Sequence, residues 1–322
     1  MKHTVITALA ALVSTTAAAQ AADWTGYTYS AVPTTAAVQG MERITERAAE
    51  EAGVDITLHL GKTLQIASSD ITQAVGDGIL DFAADYFFSG NVPIARVLNL
   101  PMLIENEEEW NAAYAAIEPV LEDAFAGQGV VLLGGYRYPQ QVIFTTFELD
   151  SLDDLEGHKI RVTSPEQGEF VSAFGGAPIT LSGSDVPTSL ERGVIDGVLT
   201  ASAGGAKNWG EFLPYNLRFP VNYGNSAIIA NVDAFEDLDE ASQEALRNIV
   251  AEEGAAITAN FLIDEQTQME KQQGAGMTIV QPAEGDAAIA REKLAPFWES
   301  WAAQNGPEYE DALARVREAI GK

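Results

Sequence analysis

The chain has 322 residues, 47% hydrophobic and 20% charged, with 47 acidic against 18 basic side chains, a formal net charge of −29 and no cysteine. Such a field repels duplex nucleic acid and anionic membrane surfaces, and the missing thiols exclude disulfides, cysteine-based zinc sites and a thiol nucleophile. The length sits near the point where chains divide into two domains.

The first 21 residues read as a signal peptide. Lys2 supplies the positive charge, "TVITALAALVSTTAAA" the apolar stretch, and Ala19-Gln20-Ala21 a small-x-small cleavage site, so the mature chain is expected to start at Ala22 in the periplasm. No later stretch approaches the 18 or so uninterrupted apolar residues of a membrane span. "YTYSAV" then predicts a strand, and Ala37, Met41, Ile44 and Ala48 a helix over Thr34 to Ala52. "VDITLHL" alternates with period two as a strand, and a helix follows "VLNLPMLI" over Glu107 to Ala126. "GVVLLGG" has the continuous apolar character of a buried parallel strand, and "QQVIFTTF" continues as a strand leaving the first lobe. "LDDLEGHKIRV" opens a second unit, with a strand at Lys159 to Val162 and a helix from Pro165 to Phe174. Helices alternating with strands predict a doubly wound α/β fold with mostly parallel sheets. A final helical pattern, Asp239 to Gln272, spans roughly 50 Å at about 1.5 Å per residue. It is long enough to tie two lobes together, and Gly254 within it is expected to mark a kink.

One passage occurs twice. "SSDITQAVGDGILDFAAD" (68–85) and "SGSDVPTSLERGVIDGVLT" (182–200) align without a gap, Ser69 with Ser184, Asp70 with Asp185, Gly78 with Gly193 and Asp81 with Asp196, at an offset of 184 − 69 = 115. Each copy reads as a Ser-Asp N-capped helix, a glycine stop and a buried strand, which suggests two similar lobes. Asp81 and Asp196 could be drawn as a paired-carboxylate catalyst, but the repeat gives each the same local role in its own lobe. The two histidines beyond the signal, His59 and His158, lack a partner at metal-ligand spacing, and there is no nucleophile elbow, Walker A loop or dinucleotide fingerprint. Nothing in the residues marks an enzyme, a cofactor or a metal.

Arg161 in "HKIRVTS" is the outstanding ligand candidate, a guanidinium between Ile160 and Val162 at a strand's carboxyl end, where ligands of open α/β sheets collect. Its planar fork suits a carboxylate, although a structural salt bridge would use the same residue. "LEGHKIRV", "GGAPITLSGSDVPTSLERGVIDG" and "YNLRFPVNYGNSAIIANVDAFEDLDEASQEAL", with the earlier "GDGILDFAAD" and "LNLPMLI", resemble the periplasmic substrate-binding (DctP-type) subunits of tripartite ATP-independent periplasmic (TRAP) transporters across nearly the whole mature chain. The resemblance implies a two-lobed clamp, each lobe a mostly parallel sheet flanked by helices, braced by one long helix. It also implies closure on a small organic acid, a carboxylate anchor at Arg161 and delivery to small and large TRAP membrane subunits. Lobe I is expected at 22–146 plus about 235–270, and lobe II at 147–234 plus about 271–322.

Departures from the family pattern bear on the ligand. Val198, Leu199 and Thr200 stand where Gln-Glu-Asn is common, the family's second arginine falls at Gln141 with Arg137 as the nearest replacement, and Gly183 takes an aromatic's place. Aromatics gather instead at expected cleft positions: Tyr86, Phe87, Phe88, Tyr136, Tyr138, Trp209 and Tyr223. The expected ligand is therefore an aromatic or otherwise hydrophobic monocarboxylate, benzoate-like in shape. The alternatives are a short keto or hydroxy acid, and a zwitterionic compatible solute caged by Trp209 and tyrosines. The ligand-binding set is Arg161, Arg137, Gln141, Thr200, Tyr86, Phe87, Trp209 and Tyr223. The rival classes are an exported two-lobed enzyme with Asp81 or Asp196 as base, and a sensor module.

Overall fold

The computed structural model describes residues 22–322; the signal peptide expected over residues 1–21 lies outside them. Eleven strands occur among the described residues: β1 (Ala22–Thr28), β2 (Val54–His59), β3 (Phe82–Asp85), β4 (Val130–Arg137), β5 (Gln141–Thr145), β6 (Lys159–Val162), β7 (Ala177–Thr180), β8 (Gly197–Thr200), β9 (Tyr215–Asn222), β10 (Asn225–Asn231) and β11 (Thr278–Val280). They form two sheets, ordered β2-β1-β3-β10-β4 and β11-β9-β5-β8-β6-β7. Parallel triplets β2-β1-β3 and β8-β6-β7 carry the βαβ character, while β10 and β5 run antiparallel to their neighbours.

Helices cover the faces: α1 (Ala36–Arg47), α2 (Ile71–Gly76), α3 (Glu107–Ala126), α4 (Pro165–Ala173), α5 (Val186–Glu191), α6 (Ala206–Trp209), α7 (Val232–Glu236), α8 (Glu240–Gly274), α9 (Asp286–Asn305) and α10 (Pro307–Ile320). The expected start of α3 follows from its cap. Asn106 accepts from the Glu109 amide at 2.9 Å, and Glu107, Glu108 and Glu109 sit in the first turn, where the helix dipole favours negative charge.

The strand pairing corrects the expected lobe division twice. Asn225–Asn231, assigned by sequence to the second lobe, is a fully buried strand of the first sheet, and Gln141–Thr145, assigned to the first, lies inside the second. Chain crossovers at 138–140 and 223–224 are short, so each strand finds its partners beyond the crossover rather than before it. β4 is likewise not a buried parallel strand. It is an edge strand antiparallel to β10, and its apolar run is covered by α3 and α8.

Helix α8 seals that edge. Arg247 Nη1 donates to the Leu132 carbonyl at 3.1 Å and the Arg137 amide donates to Thr258 Oγ1 at 3.0 Å, satisfying strand groups that no neighbour pairs. Gly254 packs against the same strand: a methyl carbon there would lie 2.4 Å from the Gly135 carbonyl oxygen. The helix is continuous through Gly254, where the missing side chain permits this close crossing. Beyond it, α8 reaches the second lobe. Glu265 accepts from the Ala203 amide at 2.8 Å and pairs with Arg218 at 2.9 Å, and Asp264 pairs with Lys207 at 3.2 Å. One helix of 35 residues thus braces both sheets.

Candidate functional site

The carboxyl ends of β6 and β8 in the second sheet carry Arg161 and Thr200. Pairing of Arg161 with Val198 and of Thr200 with Val142 puts Arg161, Val198, Thr200 and Val142 on one sheet face. Arg161 is only 7% exposed. Its Nε donates to the Leu181 carbonyl at 3.1 Å, and its guanidinium lies 5.5 Å from the Trp209 ring centroid. Burial pushes its pKa down, partly offset by the Tyr86 phenol. Among the described residues no carboxylate pairs with it, whereas the other buried arginine, Arg137, has Glu107 at 3.3 Å. Trp209 stands beside Gly183, where a Cβ would meet the indole at 3.6 Å. The indole therefore occupies the neighbourhood of the family's missing aromatic.

The first lobe faces this arginine with phenols. Tyr86 follows β3, and its ring meets Tyr29 at 5.5 Å, Phe87 at 5.1 Å and Tyr138 at 5.1 Å between centroids. Tyr29 and Tyr138 hydroxyls hydrogen-bond each other. Burial raises the Tyr86 pKa, while the Arg161 charge and a hydrogen bond with Thr163 oppose that rise. Tyr86 therefore reaches from the first sheet to the second. Its ring lies against Gly224, where a Cβ would come within 2.9 Å of the phenol oxygen. Phe87 is 37% exposed beside it. Asp85 fixes this loop: its carboxylate accepts from the Phe87 amide at 2.7 Å, the Thr72 amide at 3.2 Å and the Thr72 hydroxyl at 2.7 Å. Burial pushes the Asp85 pKa up to about 6.

The structure thus brings together Arg161, Tyr86, Phe87 and Trp209, with Thr200 two residues along the sheet face from Val198. Thr200 Oγ1 accepts from the Gly205 amide at 3.0 Å and so holds the turn before Trp209. Arg137 and Tyr223 form a different constellation. The Arg137 guanidinium lies 4.7 Å from the Tyr223 centroid, with Trp110 against the same ring at 5.4 Å. Strand alternation turns Arg137 away from Tyr136 and Tyr138, which stack towards Phe261. Gln141 is one residue out of phase with Val142 and faces the other side of the sheet, donating to the Pro139 carbonyl at 3.0 Å. Phe88 and Tyr136 are core, at 2% and 4% exposure. Tyr29 and Thr163 were not singled out from sequence. Each directly follows or lies one residue beyond a strand's carboxyl end, the position that also singled out Arg161.

Asp81 and Asp196 have matching structural partners. Asp81 accepts from the Thr25 amide at 2.7 Å, and its own amide donates to the Thr25 carbonyl at 2.9 Å. Asp196 accepts from the Lys159 amide at 2.9 Å and donates to the Lys159 carbonyl at 2.7 Å. Each ties its own strand's approach to the neighbouring strand, Asp81 at the middle of β1 and Asp196 at the start of β6, which is a ladder function, not a base poised over a cleft.

Similarity to known proteins follows this geometry. The sequence model of DctP, bacterial extracellular solute-binding protein family 7, matches residues 28–305. The chain belongs to this family. Its fold is that of solved solute receptors. One is DctP7 of Bordetella pertussis, an extracytoplasmic receptor binding pyroglutamic acid (20% identity, 94% of this chain and 100% of that one, TM-score 0.83). Another is a TRAP periplasmic solute-binding protein of Chromohalobacter salexigens with bound D-glucuronate (21% identity, 92% and 99%, TM-score 0.83). A third, from Desulfovibrio salexigens, has bound orotic acid (17% identity, 93% and 98%, TM-score 0.84). The uncharacterised protein YiiZ of Salmonella typhimurium is 30% identical over 139 residues, a match spanning 41% of this chain and 39% of that relative. The family and the three solved structures are solute receptors, not enzymes. Among the described residues no helix is long and apolar enough to cross a membrane.

Proposed function

We propose that this solute-binding protein captures a small organic monocarboxylate with a flat or apolar body between its lobes and hands it to TRAP membrane subunits. The observation that carries the proposal is Arg161, a buried guanidinium without a carboxylate partner among the described residues of a chain of net charge −29. An uncompensated buried charge is costly, and an arriving carboxylate supplies the missing partner. With Nε committed to Leu181, the two terminal nitrogens remain for that carboxylate.

The opposite wall argues for the body of the ligand. Phe87 meets Tyr29 and Tyr86 edge to face, as Tyr138 meets Tyr86, while Tyr29 and Tyr86 are tilted by 32°, and the cluster offers ring surface with few free polar groups. Trp209 already stacks with a cation, Arg161, which disfavours its use as a cage for a quaternary ammonium. The relatives' pyroglutamate, orotate and glucuronate share a carboxylate on a ring, and the aromatic wall favours the flatter end of that range. Closure follows from geometry: a carboxylate on Arg161 of the second lobe brings its body against Tyr86 and Phe87 of the first, and the ligand shifts the equilibrium by its preference for that closed form.

Calorimetric titration of residues 22–322 with benzoate, orotate, pyroglutamate, glucuronate and pyruvate tests the proposal. Aromatic carboxylates are expected to bind tightest, and Arg161→Ala to weaken them by roughly 3–5 kcal/mol, about two to three and a half orders of magnitude. A preference for glucuronate would discard the aromatic reading, and unchanged affinity in Arg161→Ala would discard the anchor.

A further inference from the structure

The hydroxyl groups at the Arg161 end of the cleft are wired in one direction. Thr163 directly follows β6 and continues the Arg161 face of that strand, two residues on and roughly 6.6 Å further along it. Its amide and its hydroxyl both donate to Gln167 Oε1, at 2.9 Å and 3.0 Å. Gln167 is buried, and its neighbours fix which way round its amide lies. Its Nε2 donates to Asn222 Oδ1 at 3.1 Å, Asn222 Nδ2 donates to the Asn99 carbonyl at 3.0 Å, and Asn99 Nδ2 donates to the Tyr223 carbonyl at 2.9 Å. Backbone amides and carbonyls have no choice of role, so every member of this chain has one orientation. The single proton of the Thr163 hydroxyl is therefore held by Gln167. Tyr86 reaches Thr163 from the first lobe through a hydrogen bond, and burial keeps its phenol protonated at neutral pH. An amide carbonyl is a better acceptor than a neutral phenol, so Thr163 keeps its proton on Gln167 and accepts the one that Tyr86 carries. Both hydroxyl oxygens then turn lone pairs, and no proton, towards the cleft.

We propose that Gln167 is a positioning residue that makes this end of the cleft acceptor-only, and that the ligand is accordingly a ring carboxylate with an N–H or O–H donor one or two ring positions from the carbon bearing the carboxylate. This rests on the reading of Arg161 as the carboxylate anchor. The guanidinium only donates and the two hydroxyls only accept, so the site matches an acceptor and a donor side by side on one small ring. A ligand with a second acceptor in that place would set lone pair against lone pair in a buried contact, which a site built for a donor rejects.

Calorimetric titration with pyrrole-2-carboxylate and pyrrole-3-carboxylate against 2-furoate and 3-furoate tests the polarity, because each pair has one shape and differs in whether the ring heteroatom donates or accepts. At least one pyrrole acid is expected to bind about tenfold or more tightly than its furan counterpart. Thr163→Val frees the Tyr86 proton for the ligand and is expected to bring that pair within about threefold of each other. Gln167→Glu keeps an acceptor opposite Thr163 and is expected to keep the preference, even though its carboxylate faces Asn222 Oδ1 and lowers the unfolding temperature. A purely structural role would move the unfolding temperature and leave the pyrrole-to-furan ratio alone in Thr163→Val. Equal affinity within both pairs, in a chain whose binding Arg161→Ala abolishes, would overturn the inference and leave the proposed function standing. Binding of none of the four acids at millimolar concentration would overturn both, and an unchanged ratio in Thr163→Val would overturn the inference alone.

Discussion

The two copies of the repeated passage have the same frame and different ends. Every boundary is displaced by the same 115 residues: the opening turn at 68–70 and 183–185, the helix at 71–76 and 186–191, and the strand at 82–85 and 197–200. Gly78 and Gly193 adopt the same left-handed backbone, at φ of 70° and 64°, and Asp81 and Asp196 lock the neighbouring strand in the same way. After the strand the copies diverge. The first continues Asp85-Tyr86-Phe87 and the second Thr200-Ala201-Ser202. A shared scaffold thus presents unlike chemistry where the two lobes meet: ring faces from the first lobe, and a guanidinium beside an indole from the second.

The frame is tested by its aspartates. Asp81→Ala and Asp196→Ala each remove a carboxylate that accepts a backbone amide, and each is expected to lower stability by about 1–3 kcal/mol in urea unfolding. Ligand affinity should change little in either. A loss confined to one lobe would break the equivalence, and loss of affinity at unchanged stability would return a carboxylate to the functional site.

That frame was legible because it is local. Glycine stops and strand periodicity are written within a few residues, and so is the start of α8, where Asp239 accepts from the Ser242 amide at 2.8 Å. The Ser-Asp starts of the repeat do place Asp70 and Asp185 at the N-cap positions, but without the side-chain hydrogen bond expected of a cap. The first helix is capped from the far end of the unit by Asp85, thirteen residues from Thr72. Sheet membership of β5 and β10 was illegible for the same reason, since a short crossover has no signature of which sheet lies beyond it. Arg161 was legible because a charge inside an apolar strand is conspicuous. Arg137 looked similar, and only the pairing geometry shows that its neighbours are Glu107 and Tyr223 rather than the cleft.

The first divergence predicts a pH dependence present in one lobe alone. Asp85 has its folded-state pKa raised to about 6 from 3.8, so the folded state holds the proton more tightly than the unfolded chain. Its ionised form is the costly one, and stability rises as pH falls through about 6 towards 4. Between pH 7 and pH 5 the gain from this residue is about 1 kcal/mol. Asp85→Asn removes that increment, which differential scanning of the two proteins at both pH values reads directly. An identical pH response in the variant would mean that other carboxyls set the slope.

The smallest effect is expected at the matching position of the second lobe. Thr200 does with a neutral hydroxyl what Asp85 does with a carboxylate, holding the loop that carries an aromatic into the site, here through the Gly205 amide and Trp209. Thr200→Val keeps the shape and removes the acceptor, at a cost of about 0.5–1.5 kcal/mol with no pH dependence of its own. Because Trp209 stacks on Arg161, a loosened turn should also weaken a bound carboxylate by a few-fold, roughly 1 kcal/mol at most. Loss of stability without loss of affinity would confine Thr200 to the scaffold. Loss of both would show that the repeat places a loop-holding residue at the end of each copy, charged where it supports phenols and neutral where a buried arginine already supplies the charge.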